Sequence, residues 1–191
     1  MAPGPTEQLA TLLPMLTQIV GHIRPDQFDL PTPCSNFTVR EVIDHMIGGA
    51  EAFAPAFRGI TSTHQNIDTG AHPSARFRAA MADLLDAVQS PGAMTRTVEA
   101  PFGTVSGEVF ARFVAFDGLI HGWDMATSTG QAYDPPADIV GQVAAFAHQA
   151  LVPEMRDGET FADATTAPQG SGELAQLVAF SGRTVHQGSA A

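Results

Sequence analysis

The stretch from Glu108 to Gln131, EVFARFVAFDGLIHGWDMATSTGQ, restricts the fold more than any other part of the chain. At about 100° per residue, with Asp117 as origin, Phe110, Phe113, Val114 and Ile120 all fall within about 60° of it. His121 and Asp124 fall in the same arc. The pattern predicts an amphipathic helix that turns three polar side chains toward the protein interior. A carboxylate or imidazole placed there must be hydrogen-bonded, ion-paired or holding a metal, because burial without a partner costs several kcal/mol.

Other helices follow from the same periodicity. Leu9, Leu12, Leu13, Leu16, Ile19, Val20 and Ile23 mark a helix over Thr6 to Ile23, in which Pro14 predicts a kink or a late start. Arg24 to Asn36 reads as a loop. Thr38 and Glu41 form a T-x-x-E capping box, so a second helix should run from about Val39 to about Gly59. After a polar loop to Pro73, a third is predicted over Ser74 to Gln89. Met94 to Val105 holds strand formers around Pro101-Phe-Gly-Thr, a long crossover with a small hairpin. The helix described first comes fourth, stopped by Gly130. Asp134-Pro135-Pro136 predicts an N-cap and first-turn proline for a helix to about Leu151. Pro153 to Ser171 is irregular, and Gly172 to Gly182 suits a short last helix. No repeat or linker divides the chain, so we expect a single domain over residues 1–191. Its expected class is all-α: a four-helix bundle with accessory C-terminal helices.

Composition narrows the chemistry. The formal net charge is −11, and all nine basic residues are arginine. Without lysine there is no P-loop lysine, no Schiff base and no pyridoxal-type site. The acidic balance argues against nucleic acid and anionic membranes as partners. Cys34 alone allows neither an intrachain disulfide nor a cysteine-based zinc cluster. No signal peptide or membrane-spanning run is visible, which makes a cytoplasmic protein the default expectation. Nothing demands a homodimer, though one is compatible with the sequence.

Asp117 and His121, four apart, project from one helix face one turn apart and can share a metal ion. His45 is the best third ligand, because its helix face carries Gly48, Gly49, Ala52 and Ala56, which leave room for a neighbouring helix or a ligand. The alternative is a buried Asp–His hydrogen bond, with His45 satisfied by Glu41 or Asp124; spacing leaves both open. Asp124 suits either an orienting role behind a ligand imidazole or a structural pairing. His22, His64, His72, His148 and His186 lie in loops, near segment ends or without a carboxylate one turn away. Cys34 stands near a helix N-terminus, where a thiol can be activated, but a small buried residue is the simpler reading. Trp123, at the edge of the apolar arc, reads as a packing residue.

The runs Leu30-Pro-Thr-Pro-Cys-Ser-Asn-Phe-Thr-Val-Arg and Asp44-His-Met-Ile-Gly-Gly carry a wider likeness, together with Asp117-Gly-Leu-Ile-His-Gly-Trp-Asp-Met-Ala and Leu177-Val-Ala-Phe-Ser-Gly-Arg. In that order they resemble actinobacterial members of the DinB/YfiT-like superfamily, which includes the N-terminal domain of mycothiol-dependent maleylpyruvate isomerase. The resemblance implies a four-helix bundle with a divalent metal held by three side chains, here His45, Asp117 and His121. It also implies a low-molecular-weight thiol, mycothiol or bacillithiol, as cofactor or co-substrate in some relatives. Asp117 stands where the isomerase has Glu, and the isomerase's second domain has no counterpart here, so maleylpyruvate isomerisation itself is not expected.

The leading expectation is therefore a metal-dependent thiol S-transferase, with a small-molecule thiol and an electrophile held over the Gly48/Gly49/Ala52 face as substrates. Zn²⁺ is the first candidate ion, and two imidazoles with one carboxylate also suit Ni²⁺, Fe²⁺ and Co²⁺. A non-catalytic metal or small-molecule binding protein is the alternative, and a non-haem Fe(II) site a third.

Overall fold

The computed structural model describes residues 2–60, 71–100, 103–156, 158 and 161–186. Six helices dominate the described residues: α1 (Pro5–Gly21), α2 (Val39–Arg58), α3 (Pro73–Gln89), α4 (Gly107–Thr129), α5 (Ala137–Ala150) and α6 (Glu173–Phe180). The first four form the predicted bundle. α1 packs against α3 and α4, and α2 packs against the same two, so α1 and α2 lie on one diagonal and α3 and α4 on the other. α5 and α6 pack on each other and on the outer side of α4. Among the described residues no helix is long and apolar enough to cross a membrane.

Local chemistry sets the boundaries of α2. Thr38 Oγ1 accepts from the backbone N–H of Glu41, and the Glu41 carboxylate accepts from the backbone N–H of Thr38 at 2.7 Å, closing the capping box. Gly59 ends the helix in the left-handed conformation (φ 70°). Pro14 lies well inside α1, so that helix starts early rather than late. The hairpin is present: β1 (Thr97–Ala100) pairs antiparallel with β2 (Gly103–Ser106), Val98 opposite Val105. Its expected turn at Pro101 and Phe102 falls outside the described residues, as does most of the Gly59–Pro73 loop. α5 begins later than predicted, with Pro136 rather than Asp134 at its N-cap. A residue that precedes proline is held extended, and Asp134 and Pro135 both do.

α4 departs from the amphipathic expectation. Beyond the arc around Asp117, its opposite side is buried as well, through Ala115, Leu119, Gly122 and Ala126. A helix enclosed on most sides is a central one. Two glycines let α1 approach: a Cβ on Gly118 would stand 3.3 Å from Leu16, and one on Gly122 only 2.7 Å from both Leu16 and Tyr133. The core is built from Leu9, Leu12 and Leu16 of α1, Ile43 and Ile47 of α2, Phe77 of α3, and Phe116 and Leu119 of α4. Trp123 is fully buried, as a packing residue should be.

Candidate metal centre

The bundle brings His45 of α2 to Asp117 and His121 of α4. One ligand atom from each lies within 4.8 Å of the other two, which no other trio of histidine, cysteine or acidic side chains achieves among the described residues. His121 is buried, its side chain 6% exposed, whereas those of His45 and Asp117 keep 43% and 46%. The set therefore has a closed back and an open front.

The back is fixed by a chain of polar contacts. His121 Nδ1 lies 3.0 Å from Asp124 Oδ2. The Asp124 side chain is fully buried, and its Oδ2 also accepts from Arg183 Nη2 at 3.0 Å, with Arg183 Nε 3.4 Å from Oδ1. A carboxylate in an ion pair with a guanidinium can only accept, so His121 Nδ1 carries the proton and donates it. Nε2 of the same ring faces Asp117, 3.5 Å from its Oδ1. Asp124 thus has both of the roles its sequence position suggested, orienting His121 and pairing within the core.

The front is shaped by α2 and the loop before it. Phe37 stacks on His45, ring centroids 5.4 Å apart and 29° between planes, and meets His121 edge-on at 6.2 Å. Neither Glu41 nor Asp124 satisfies His45, because the first belongs to the capping box and the second to Arg183 and His121. Its partner is Asp117, with Nε2 3.7 Å from Oδ1. That carboxylate holds the His45 imidazole above its usual pKa, against burial that would lower it. The crowding of protein around the half-exposed Asp117 carboxyl would raise it, but His121, His45 and Arg183 together keep it below the usual range.

The separations within the trio are informative. Asp117 Oδ1 stands 3.7 Å from His45 Nε2 and 3.5 Å from His121 Nε2. Both exceed ordinary hydrogen-bond length, while the His121–Asp124 contact behind them does not. Ligand atoms each about 2.0–2.2 Å from a tetrahedral ion stand roughly 3.3–3.6 Å apart. The two separations from Asp117 lie at or just beyond that range, and the His45 and His121 ligand atoms are within 4.8 Å of each other.

A cavity of about 210 Å³ opens from His45 and Asp117 along the α2–α4 seam. Its walls include Leu13, Met46, Phe53, Met81 and Val114, with Met155 and Phe161 supplied by the segment after α5. Of the glycine and alanine face expected on α2, Gly49 lines this cavity, whereas Gly48 and Ala52 point to solvent. The helix faces its cavity about one residue round from the direction the small side chains suggested.

The remaining histidines stay outside the trio. His22 caps the end of α1, His72 the start of α3, and His148 lies against Phe180; His64 is outside the described residues. Cys34 is partly buried, and burial pushes its thiol up, with nearby Arg183 drawing it back only in part. This environment opposes activation of the thiol. Sequence reasoning assigned no role to Arg183 or Phe37. Phe37 directly precedes the capping box, a position that could have flagged it, whereas no local pattern links Arg183 to Asp124.

The sequence pattern of the family described as mycothiol maleylpyruvate isomerase N-terminal domain matches residues 9–126. Two curated proteins of Mycobacterium tuberculosis are similar along most of their length. They are "Uncharacterized protein Rv0738" from strain ATCC 25618 / H37Rv and "Uncharacterized protein MT0763" from strain CDC 1551 / Oshkosh. Each is 35% identical over 171 residues, covering 87% of this chain and 91% of the relative. No solved structure gives a significant match. All three residues of the trio fall inside the matched segment, and Arg183 falls outside it.

Proposed function

The chain belongs to the mycothiol maleylpyruvate isomerase N-terminal domain family, and from that premise we propose a divalent-metal protein that transfers a low-molecular-weight thiol to a small electrophile. The thiol is mycothiol or one like it. His45, Asp117 and His121 are the ligands, and Zn²⁺ is the first choice among ions that two imidazoles and a carboxylate suit. The reading rests most on the 3.5 and 3.7 Å spacings within the trio, together with its exposed front.

An ion with an open side favours the thiolate form of a thiol bound beside it. The chain's own side chains do the rest. Asp124 fixes the tautomer of His121, and Arg183 holds Asp124 in place. Phe37 lies flat on His45 and limits rotation of its ring. The cavity beside Asp117 offers the electrophile an apolar, water-poor position.

Elemental analysis of the purified protein beside His121→Ala tests the ion. About one divalent ion per chain is expected in the wild type and none in the variant. Thiol consumption by the metal-loaded protein over a panel of electrophiles tests the transfer. Metal retained without turnover would leave a binding protein, and a metal-free wild type would remove the reading altogether.

A further inference from the structure

The cavity carries more information than its nearness to the trio. Among the described residues its titratable lining groups are His45 and Asp117, and no described arginine lines it. Those two meet at one end of the seam, with a 3.7 Å contact, and Phe53 meets Phe110 at the other, ring centroids 4.7 Å apart. Eight residues of α2 separate His45 from Phe53, a rise of roughly 12 Å. Between these ends the described lining side chains are hydrocarbon and thioether.

We propose that this cavity binds an uncharged, apolar group about the size of one substituted six-membered ring, with any polar function directed at His45 and Asp117. Taking that group as part of the electrophile rests on the thiol-transfer reading; as a binding site the cavity stands on its walls alone. Size sets the first limit. An apolar cavity of about 150 Å³ stays dry and accepts benzene, so about 210 Å³ leaves room for a ring and a small substituent. Charge sets the second. Among the described lining residues an anionic tail would find no arginine and would lie near the Asp117 carboxylate, and a buried charge without a partner is strongly disfavoured. A cationic tail could meet only Asp117, which is already engaged by two imidazoles. Shape follows from Met46, Met81 and Met155, whose thioethers adapt to irregular outlines and contact aromatic edges favourably.

The test compares toluene with benzoate, similar in size and different in charge. Binding is followed by isothermal titration in chelator-treated protein, where no ion can hold a carboxylate. Toluene should bind at least about tenfold more tightly than benzoate. Val114→Phe, which fills the cavity from α4, should weaken toluene by at least about tenfold while circular dichroism keeps the helical signal. Phe53→Ala, which enlarges the far end, should retain toluene and gain naphthalene, and this variant decides the matter if Val114→Phe fails to fold. Benzoate binding as well as toluene, or a folded Val114→Phe with unchanged affinity, overturns the proposal. Zinc uptake by the same preparations is read separately by elemental analysis. Loss of the metal reading therefore leaves the toluene result standing, and the converse also holds.

Discussion

Neutralising Arg183 should destabilise the protein more than any surface substitution, and the size of the effect follows from where its partner lies. Asp124 is wholly enclosed and the Arg183 side chain nearly so, with 3.0 Å between Nη2 and Oδ2. Opposite charges about 4 Å apart at an effective dielectric near 20 attract by about 4 kcal/mol. Removing one member of such a pair costs about 3–5 kcal/mol, because the other is left buried without compensation. In a chain of this size each kcal/mol shifts the melting temperature by roughly 2–4 °C, so Arg183→Met should melt roughly 6–20 °C below the wild type. Asp124→Asn should fall in the same range. The double variant buries no unpaired charge and should therefore be more stable than the sum of the singles by about 2 kcal/mol. Thermal and urea unfolding in chelator, so that metal binding adds nothing, gives all the values for the cycle. Single losses under about 1 kcal/mol, or additivity within about 0.5 kcal/mol, would refute the argument.

Three further outcomes are expected. His45 is held above its ordinary 6.5 by Asp117, so their contact adds stability below that value and loses it as pH rises through the raised pKa; Asp117, held below 3.8, adds stability above that value and loses it as pH falls through the lowered one. Without metal the pair thus helps most between these limits, whereas metal uptake needs His45 neutral and should strengthen about tenfold per pH unit until the raised pKa is passed; chelator competition from about pH 5.5 to 8.5 giving a flat profile would remove His45 from the ligand set. Gly48→Ala, where a Cβ meets nothing within 4 Å, should stabilise by about 0.5–1 kcal/mol, while Gly122→Ala, pressed against Leu16 and Tyr133, should lose about 1–3 kcal/mol in the same denaturation assay despite the better helix former. Cys34 should react with iodoacetamide several-fold more slowly than free cysteine at neutral pH, since burial disfavours its thiolate; a faster rate would contradict its environment.

Much of this architecture is legible in the sequence, for identifiable reasons. Helical periodicity and the Thr38/Glu41 box are local signals, and they locate α1 to α4 within a few residues. Asp117 and His121 are recognisable because one turn of helix separates them, and His45 because its neighbours are so small. Arg183 is not legible, since 59 residues separate it from Asp124 and only the fold closes that gap. The burial of α4 on most sides is likewise hidden, because Ala, Gly and Leu on its second face suit surface and core equally. Which α2 residues meet the cavity depends on how that helix is rotated against α4, and composition underdetermines that rotation.

The Arg183–Asp124 contact also has a consequence in time. During synthesis the ribosome releases His45, Asp117, His121 and Asp124 well before Arg183, which follows α6. Until then Asp124 lacks its guanidinium, and the imidazole it orients lacks a settled partner. A nascent chain stalled before residue 183 therefore carries every side chain of the trio but not the contact that makes it rigid. Emergence of Arg183, rather than of the trio, is the moment at which the centre acquires its final shape.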